Sequence, residues 1–135
     1  KLLIHSKSDV NHRDVSRRTA LIWAARNGRK KCVRILLEHK AEIDATDKGG
    51  KTALIAAAYH GQAACLHHLQ KDGAGLDHID KMGRSALVGA AAQGHMGCVK
   101  RLIDARANAN VVDKNGRTAL HYALAKGFPD ITQLL

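Results

Sequence analysis

The sequence predicts an all-α solenoid of stacked helix–turn–helix units, and two observations support this fold class. A pattern of Asp, four turn residues, Thr or Ser, Ala and Leu occurs four times at a spacing of 33 residues. A fixed period of this length indicates a solenoid, because one unit of this size cannot bury a core alone. Within each unit, apolar residues then recur at helical spacing. The pattern begins at Asp14, Asp47, Asp80 and Asp113.

The first half of the second unit shows how a turn and a first helix follow from the residues. Gly49 and Gly50 indicate a tight turn, since glycine permits positive φ. Thr52 is a good N-cap for the helix that follows. Leu54 and the alanines at 57–58 give that helix a small apolar face.

The second half of the same unit predicts a second helix. Gly61 ends the first helix and turns the chain. Cys65, Leu66 and Leu69 then follow at i, i+1, i+4 spacing, which is typical of a helix with one buried side. Gly73 is suited to the left-handed residue after this helix.

The other units repeat this order, so one domain is predicted over residues 1–135. Both ends of the chain fall inside a predicted second helix, and we therefore expect an excerpt from a longer array. The predicted boundaries are 1–13 for the end of a preceding unit, 14–46, 47–79 and 80–112 for full units, and 113–135 for a truncated unit.

The opening and the ending of the unit carry a family resemblance. Residues 113–121 read Asp-Lys-Asn-Gly-Arg-Thr-Ala-Leu-His, and residues 35–41 read Ile-Leu-Leu-Glu-His-Lys-Ala. On these residues the chain resembles the ankyrin-repeat family. The resemblance implies two antiparallel helices per unit, a projecting β-hairpin loop, and a binding scaffold without catalysis. It also implies that partners lie across the hairpin tips and the first helices, which we call the concave face.

Some corners depart from the family pattern. The glycine expected after the second helix is Lys7, Lys40 and Arg106 here, and the turn glycine of the first unit is Arg17. A residue other than glycine in the left-handed region costs roughly 1–2 kcal/mol. These corners are therefore expected to be weakened or reshaped.

The charge of the chain favours an acidic partner. The formal net charge is +10, with 22 Lys and Arg against 12 Asp and Glu. Such a balance attracts acidic peptides, nucleic acids or anionic membranes. No apolar run approaches the ~20 residues of a membrane span.

The cysteines share one repeat position. Cys32, Cys65 and Cys98 lie 33 residues apart. Equivalent positions on stacked helices are roughly 8–10 Å apart, which is too far for a disulfide or a shared metal site. We expect small apolar core residues in a reducing compartment, so a cytoplasmic or nuclear protein is predicted.

Three apparent motifs do not support catalysis or a cofactor. Residues 48–52 read Lys-Gly-Gly-Lys-Thr, but a phosphate-binding loop would need glycine at Ala45. His60, His67 and His68 have no further ligand at metal-binding spacing, and are expected to be solvated. No Ser/His/Asp or Cys/His arrangement indicates a catalytic nucleophile with its base. The sequence therefore predicts no enzyme, no cofactor and no metal.

Two basic rows are the candidate binding surface, with Tyr59 and Met82 as apolar anchors. The first row is Lys48, Lys81 and Lys114 at the tips, and the second is Arg18, Lys51, Arg84 and Arg117. Trp23 and Tyr122 are expected instead to pack in the core between units, with partial exposure at the concave rim as the alternative. A second basic group on the opposite, convex side stays an alternative; it comprises Arg34, His67, Lys100 and Arg101. The candidate partner-binding residues are Arg18, Arg26, Lys48, Lys51, Tyr59, Lys81, Met82, Arg84, Lys114 and Arg117.

The sequence thus predicts a scaffold that binds an acidic and apolar segment of a protein partner. Electrostatic binding of nucleic acid or anionic lipid is one alternative, although no aromatic stacking platform or groove-reading motif supports nucleic acid. An inert architectural spacer is another. Nothing in the sequence indicates a homo-oligomer.

Overall fold

The computed structural model describes residues 11–135, which form eight α-helices and no strand within that range. Residues 1–10 lie outside the described residues, and with them the predicted corner at Lys7 and most of the predicted preceding unit. In chain order the helices are α1 (Ala20–Arg26), α2 (Lys30–Glu38), α3 (Ala53–Tyr59), α4 (Ala63–Lys71), α5 (Ala86–Gln93), α6 (Met96–Asp104), α7 (Ala119–Ala125) and α8 (Pro129–Leu134).

The helices are stacked in two layers. The first helices, α1, α3, α5 and α7, lie side by side in chain order, and the second helices, α2, α4, α6 and α8, do the same. Each first helix also packs on the second helix of its own pair. This arrangement confirms the predicted helical solenoid.

The core is thin and rich in alanine. Every residue of α3 except Tyr59 is buried, and every residue of α5 except Gln93. From the second helices Leu36, Leu69 and Leu102 join the same apolar cluster. Small side chains in the first helices allow these helices to approach closely, so burial comes from stacking between pairs.

Each first helix begins at a hydroxyl side chain, as predicted. The Thr52 hydroxyl accepts a hydrogen bond from the backbone N–H of Ile55 at 3.2 Å. Thr19, Ser85 and Thr118 cap α1, α5 and α7 in the same way. An N-cap of this kind satisfies one of the free N–H groups at the start of a helix.

Left-handed glycines join the two helices of each pair, and the first three of them each contact a side chain from the next pair. A Cβ at Gly61 would lie 2.6 Å from the ring of His95, so no larger residue fits there without a shift. The same ring donates through Nε2 to the carbonyl of Tyr59 at 3.0 Å. The glycines are Gly28, Gly61, Gly94 and Gly127, with φ between 71° and 76°.

The loops that follow the second helices are also bonded across pairs. Asp44 Oδ1 accepts from the N–H of Gly75 at 3.0 Å, and Asp77 Oδ1 accepts from Asn108 at the same distance. Each bond joins residues 31 positions apart. The units are therefore held in register by polar side chains as well as by the apolar core.

The projecting loops are hydrogen-bonded turns. The Gly50 N–H donates to the Asp47 carbonyl, and the Asp47 N–H to the Lys51 carbonyl, both at 3.0 Å. Both bonds recur in the other three turns. The predicted hairpin loops thus close within five residues, which leaves no strand in residues 11–135.

The corners without glycine keep the left-handed conformation. The φ angles are 62° at Arg17, 65° at Lys40 and 67° at Arg106. The backbone of each corner is therefore not rebuilt, and each residue carries the steric cost of its Cβ.

The three cysteines are free thiols, as predicted. Cys65 and Cys98 are buried, whereas Cys32 is partly exposed. Burial raises the pKa of the Cys65 thiol, and raises that of Cys98 to about 11.

Replacing Arg106 by glycine is expected to stabilise the domain. Relief of the left-handed strain exceeds the entropy that glycine loses on folding, so the free energy of unfolding should rise by roughly 0.5–1 kcal/mol. Ala105→Gly is the control, because Ala105 has a φ of −83° and should lose roughly that amount. Urea denaturation measures both; a destabilised Arg106→Gly variant would contradict the expectation.

Thiol reactivity should follow the burial of the cysteines. The thiolate is the reactive form, and a raised pKa depletes it at neutral pH. We expect a thiol reagent to modify Cys32 in the native protein, and Cys65 and Cys98 only after unfolding. Mass spectrometry of the modified sites measures this, and a Cys32→Ser variant should stay unmodified while folded.

Candidate partner-binding face

An aspartate organises each turn of the concave face. Oδ1 of Asp47 accepts hydrogen bonds from the N–H groups of Gly49 and Lys51, both at 2.9 Å. The aspartate of every other turn accepts from the residues two and four positions further on. One oxygen of each carboxylate therefore stabilises the backbone of its turn.

In the first and last turns an aromatic side chain holds the other carboxylate oxygen. Trp23 Nε1 donates to Asp14 Oδ2 at 2.7 Å, and the Tyr122 hydroxyl donates to Asp113 Oδ2. Both aromatic residues follow their aspartate by nine positions. These hydrogen bonds fix each ring over its turn.

The same contacts keep both carboxylates ionised. The backbone N–H of Arg18 and the Trp23 indole hold the pKa of Asp14 below its usual value. Burial raises the pKa of Asp113, but hydrogen bonds led by Tyr122 outweigh it and lower the pKa overall. Asp113 in turn raises the pKa of Tyr122.

In the two middle turns the second oxygen faces an arginine without a hydrogen bond. Arg84 Nε lies 3.7 Å from Asp80 Oδ2, and Arg18 Nε lies 4.0 Å from Asp47 Oδ2. Both Nε atoms are buried and have no hydrogen-bond acceptor among the described residues. These two arginines therefore keep hydrogen-bonding capacity.

The tips of the turns form a continuous row. The backbone N–H at the start of each tip donates to a carbonyl of the preceding tip, so the turns are aligned along the stack. The donors are Lys48, Lys81 and Lys114 and the acceptors Ser16, Gly49 and Met82, at 2.9, 3.0 and 2.9 Å. The three lysines are exposed, and Met82 beside them is 43% exposed.

A second row of cations lies beside the tips, in contact with aromatic rings. Lys51 Nζ is 4.5 Å from the centre of the Tyr59 ring, and the Arg117 guanidinium is 5.8 Å from that of Tyr122. Cation–π contacts of this length orient a charge without neutralising it. The other two members of this row, Arg18 and Arg84, are partly buried.

Trp23 belongs to this face and not to the core, so the prediction of core packing is wrong. Its side chain is 40% exposed, with the guanidinium groups of Arg18 and Arg26 at 5.0 and 5.6 Å from the ring centre. The indole N–H needs an acceptor, and the turn aspartate supplies one. Tyr122, by contrast, is partly buried and packs against the apolar core, as predicted, while its hydroxyl donates to the turn aspartate.

The sequence does contain a signal for these rings. The positions nine residues after the turn aspartates hold Trp23, Ala56, Gly89 and Tyr122. The residue is therefore large in the first and last units and small in the two middle units. In the middle, Tyr59 lies over Gly89, with its Cδ1 3.6 Å from where a Cβ would stand.

A recess of about 140 Å³ opens where the first and second helical pairs meet. We call it the junction recess. It lies on the concave side, between α1 and α3. Its polar and aromatic lining is Arg18, Arg26, Asp47, Lys51, Tyr59 and His60, and Ile22 and Ala56 form its apolar part.

His60 in this recess is partly buried, whereas the sequence predicts a solvated side chain. Arg26 Nε donates to His60 Nε2 at 3.2 Å, which requires that Nε2 be unprotonated. Burial is the main cause that lowers the pKa of His60, and the charges of Arg26, Lys51, His95 and Arg18 lower it further.

The convex basic group is exposed, and two of its members are in contact. Arg34, Lys100 and Arg101 are exposed, and Arg101 donates through Nη1 to His67 Nδ1 at 3.1 Å. Among residues 11–135 no three His, Cys, Asp or Glu side chains come together as metal ligands.

Comparison with known families identifies the repeat. One model, describing ankyrin repeats in three copies, matches residues 1–80, and a second, describing ankyrin repeats in many copies, matches residues 87–135. The chain belongs to the ankyrin-repeat family. No curated protein matches this ankyrin chain.

Family membership gives this domain a general role. Ankyrin repeats are generally protein–protein interaction modules, and they are typically non-catalytic. None of the helices of the ankyrin domain within residues 11–135 has the length and apolar character that crossing a membrane requires.

The lowered pKa of His60 predicts a loss of stability in mild acid. The unfolded chain binds a proton near pH 6.5, whereas the folded state resists it. The free energy of unfolding should therefore fall as the pH drops below about 6.5. Urea denaturation at pH 7 and pH 5 measures the loss, and His60→Gln should reduce it. An equal loss in both proteins would show that His60 is not a contributor.

Proposed function

We propose that this ankyrin domain is a non-catalytic scaffold that binds an acidic and apolar segment of a partner protein across its concave face. The observation that carries the proposal is that the acidic side chains of this face are hydrogen-bonded to the backbone, whereas basic side chains are exposed to solvent. Each turn aspartate has one oxygen bound to two backbone N–H groups. The lysines of the tips are exposed, and their side chains face solvent.

The dimensions of the face suit an extended peptide. Successive units are about 8–10 Å apart, which puts Arg18 roughly 25–30 Å from Arg117. A peptide at ~3.3 Å per residue covers this distance in eight or nine residues. Such a segment would meet a basic side chain at every unit.

Apolar contacts are needed as well, because an exposed ion pair contributes only ~0–1 kcal/mol. Met82 is 43% exposed and Trp23 is 40% exposed, while Tyr59 lies over Gly89. Val15, Ile79 and Val112 add exposed apolar area. Charge would then guide association, and these side chains would hold the complex.

The free thiols support a reducing compartment, so we place this function in the cytoplasm or nucleus. Nucleic acid, anionic lipid and an inert spacer are the competing outcomes of the test below. Trp23 is more exposed than Tyr59 and Tyr122 on this face, and its exposure favours base stacking in the nucleic-acid alternative.

Charge reversal of the second cation row should weaken binding of the partner. Proteins captured by residues 1–135 would be compared with those captured by a Lys51→Glu, Arg84→Glu, Arg117→Glu variant. For an identified partner, we expect about tenfold weaker binding or more, because three pairs of up to ~1 kcal/mol are lost. The dependence of the dissociation constant on salt should also flatten. Isothermal titration at several salt concentrations measures both.

The matched control carries the same change of net charge on the convex side, in an Arg34→Glu, Lys100→Glu, Arg101→Glu variant. This variant should bind the partner nearly as well as the native domain. Equal weakening by both triple variants would reduce the effect to nonspecific attraction. Binding of an RNA oligonucleotide or of phosphatidylserine vesicles near physiological salt would favour the electrostatic alternative.

A further inference from the structure

The junction recess brings together three cations from two successive units. Arg18 comes from the first turn, Arg26 from the end of α1, and Lys51 from the second turn. Like charges repel, so a fold places three of them around one small recess at a cost that a bound anion would relieve. Asp47 is the one carboxylate in the lining.

Asp47 does not neutralise these cations fully. Its Oδ1 accepts from two backbone N–H groups of its own turn, at 2.9 Å each. Its Oδ2 is 4.0 Å from Arg18 Nε, beyond hydrogen-bond distance. The Arg18 Nε–H therefore stays without an acceptor among the described residues, although it is buried.

The apolar part of the recess selects the shape of the ligand. Ile22 and Ala56 are buried core residues whose surface closes the recess, and the Tyr59 ring stands at its edge with Lys51 above the ring. An anion carried on methylene groups would contact these atoms while its charge meets the cations. A compact inorganic anion would leave the apolar part unused.

The geometry points to a subsite in the junction recess for a glutamate side chain of the partner segment. The carboxylate would be held by Arg18, Arg26 and Lys51, and the side-chain methylenes would contact Ile22 and Ala56. The contact with Ile22 and Ala56 favours a carboxylate carried on methylene groups over inorganic phosphate, which has no apolar part. This subsite rests on the proposed function and specifies where one acidic residue of the partner is recognised.

The repeat itself offers a matched control. Lys51 and Arg84 occupy the same position in successive units, 33 residues apart, but only Lys51 lines the recess. Arg26 has Tyr59 as its counterpart in the next unit, so the arrangement of three cations belongs to the first junction. A subsite therefore predicts unequal effects at Lys51 and Arg84, whereas a uniformly basic face predicts equal effects.

The test uses residues 1–135 and two small probes. N-acetyl-glutamate N-methylamide carries the carboxylate, and N-acetyl-glutamine N-methylamide has the same shape without charge. NMR titration would follow the Nε–H signals of Arg18 and Arg26 and the ring signals of Tyr59 and His60. We expect saturable shifts of these signals with the glutamate probe, on the order of millimolar affinity. The glutamine probe should give none.

Variants of single cations then show which side chains bind the carboxylate of the glutamate probe. Lys51→Gln and Arg26→Gln should each weaken the glutamate probe at least about threefold, whereas Arg84→Gln should leave it unchanged. Thermal unfolding checks that each variant is folded; should Arg26→Gln fail to fold, Lys51→Gln decides the matter. An equal loss in Lys51→Gln and Arg84→Gln would overturn the subsite.

Three further results would overturn it. One is a non-saturating shift spread over all the arginines, another is equal binding of the glutamine probe, and the third is tighter binding of inorganic phosphate at pH 7.5. None of these results decides the proposed function, which is tested separately by the binding of the identified partner to the two triple charge-reversal variants.

Discussion

The close approach of successive first helices is the constraint on which the other features of the domain depend. No pair of helices has enough apolar surface for a core of its own, so α3 and α5 are buried along nearly their whole length between neighbours. Alanine makes this possible, because a larger residue at Ala57 or Ala90 would separate the helices. The spacing of the helices then sets the spacing of the turns, and the turns present the basic rows.

The turn aspartates connect this scaffold to the surface. The Oδ1 of each accepts hydrogen bonds from two backbone N–H groups, which fixes the direction of the residues around it. Its second oxygen is then available to a neighbour, an aromatic ring at Asp14 and Asp113 or an arginine at Asp47 and Asp80. The same residue that builds the turn therefore differs between units in the surface it helps to form.

Much of the fold could be predicted from the sequence, because its determinants are local and repeated. The hydroxyl caps such as Thr52, the left-handed Gly61 and the apolar second-helix leucines all act within a few residues of themselves. The position of Trp23 could not be obtained in this way. Its indole N–H bonds an aspartate nine residues earlier, so exposure depends on how the turn folds back over the helix. The recess likewise needs Arg26 and Lys51, which only stacking brings together.

The hydrogen bonds between turns have a consequence for cooperativity. The bonds from Lys48, Lys81 and Lys114 each join one unit to its neighbour and to nothing further away. Folding therefore spreads along the array by nearest-neighbour coupling, with low contact order, and the junctions decide how many units melt together. A weak junction would divide the array into segments that unfold separately. The continuity of the concave face is thus a property of its junctions, and a partner that bridges several units would strengthen all the junctions it spans.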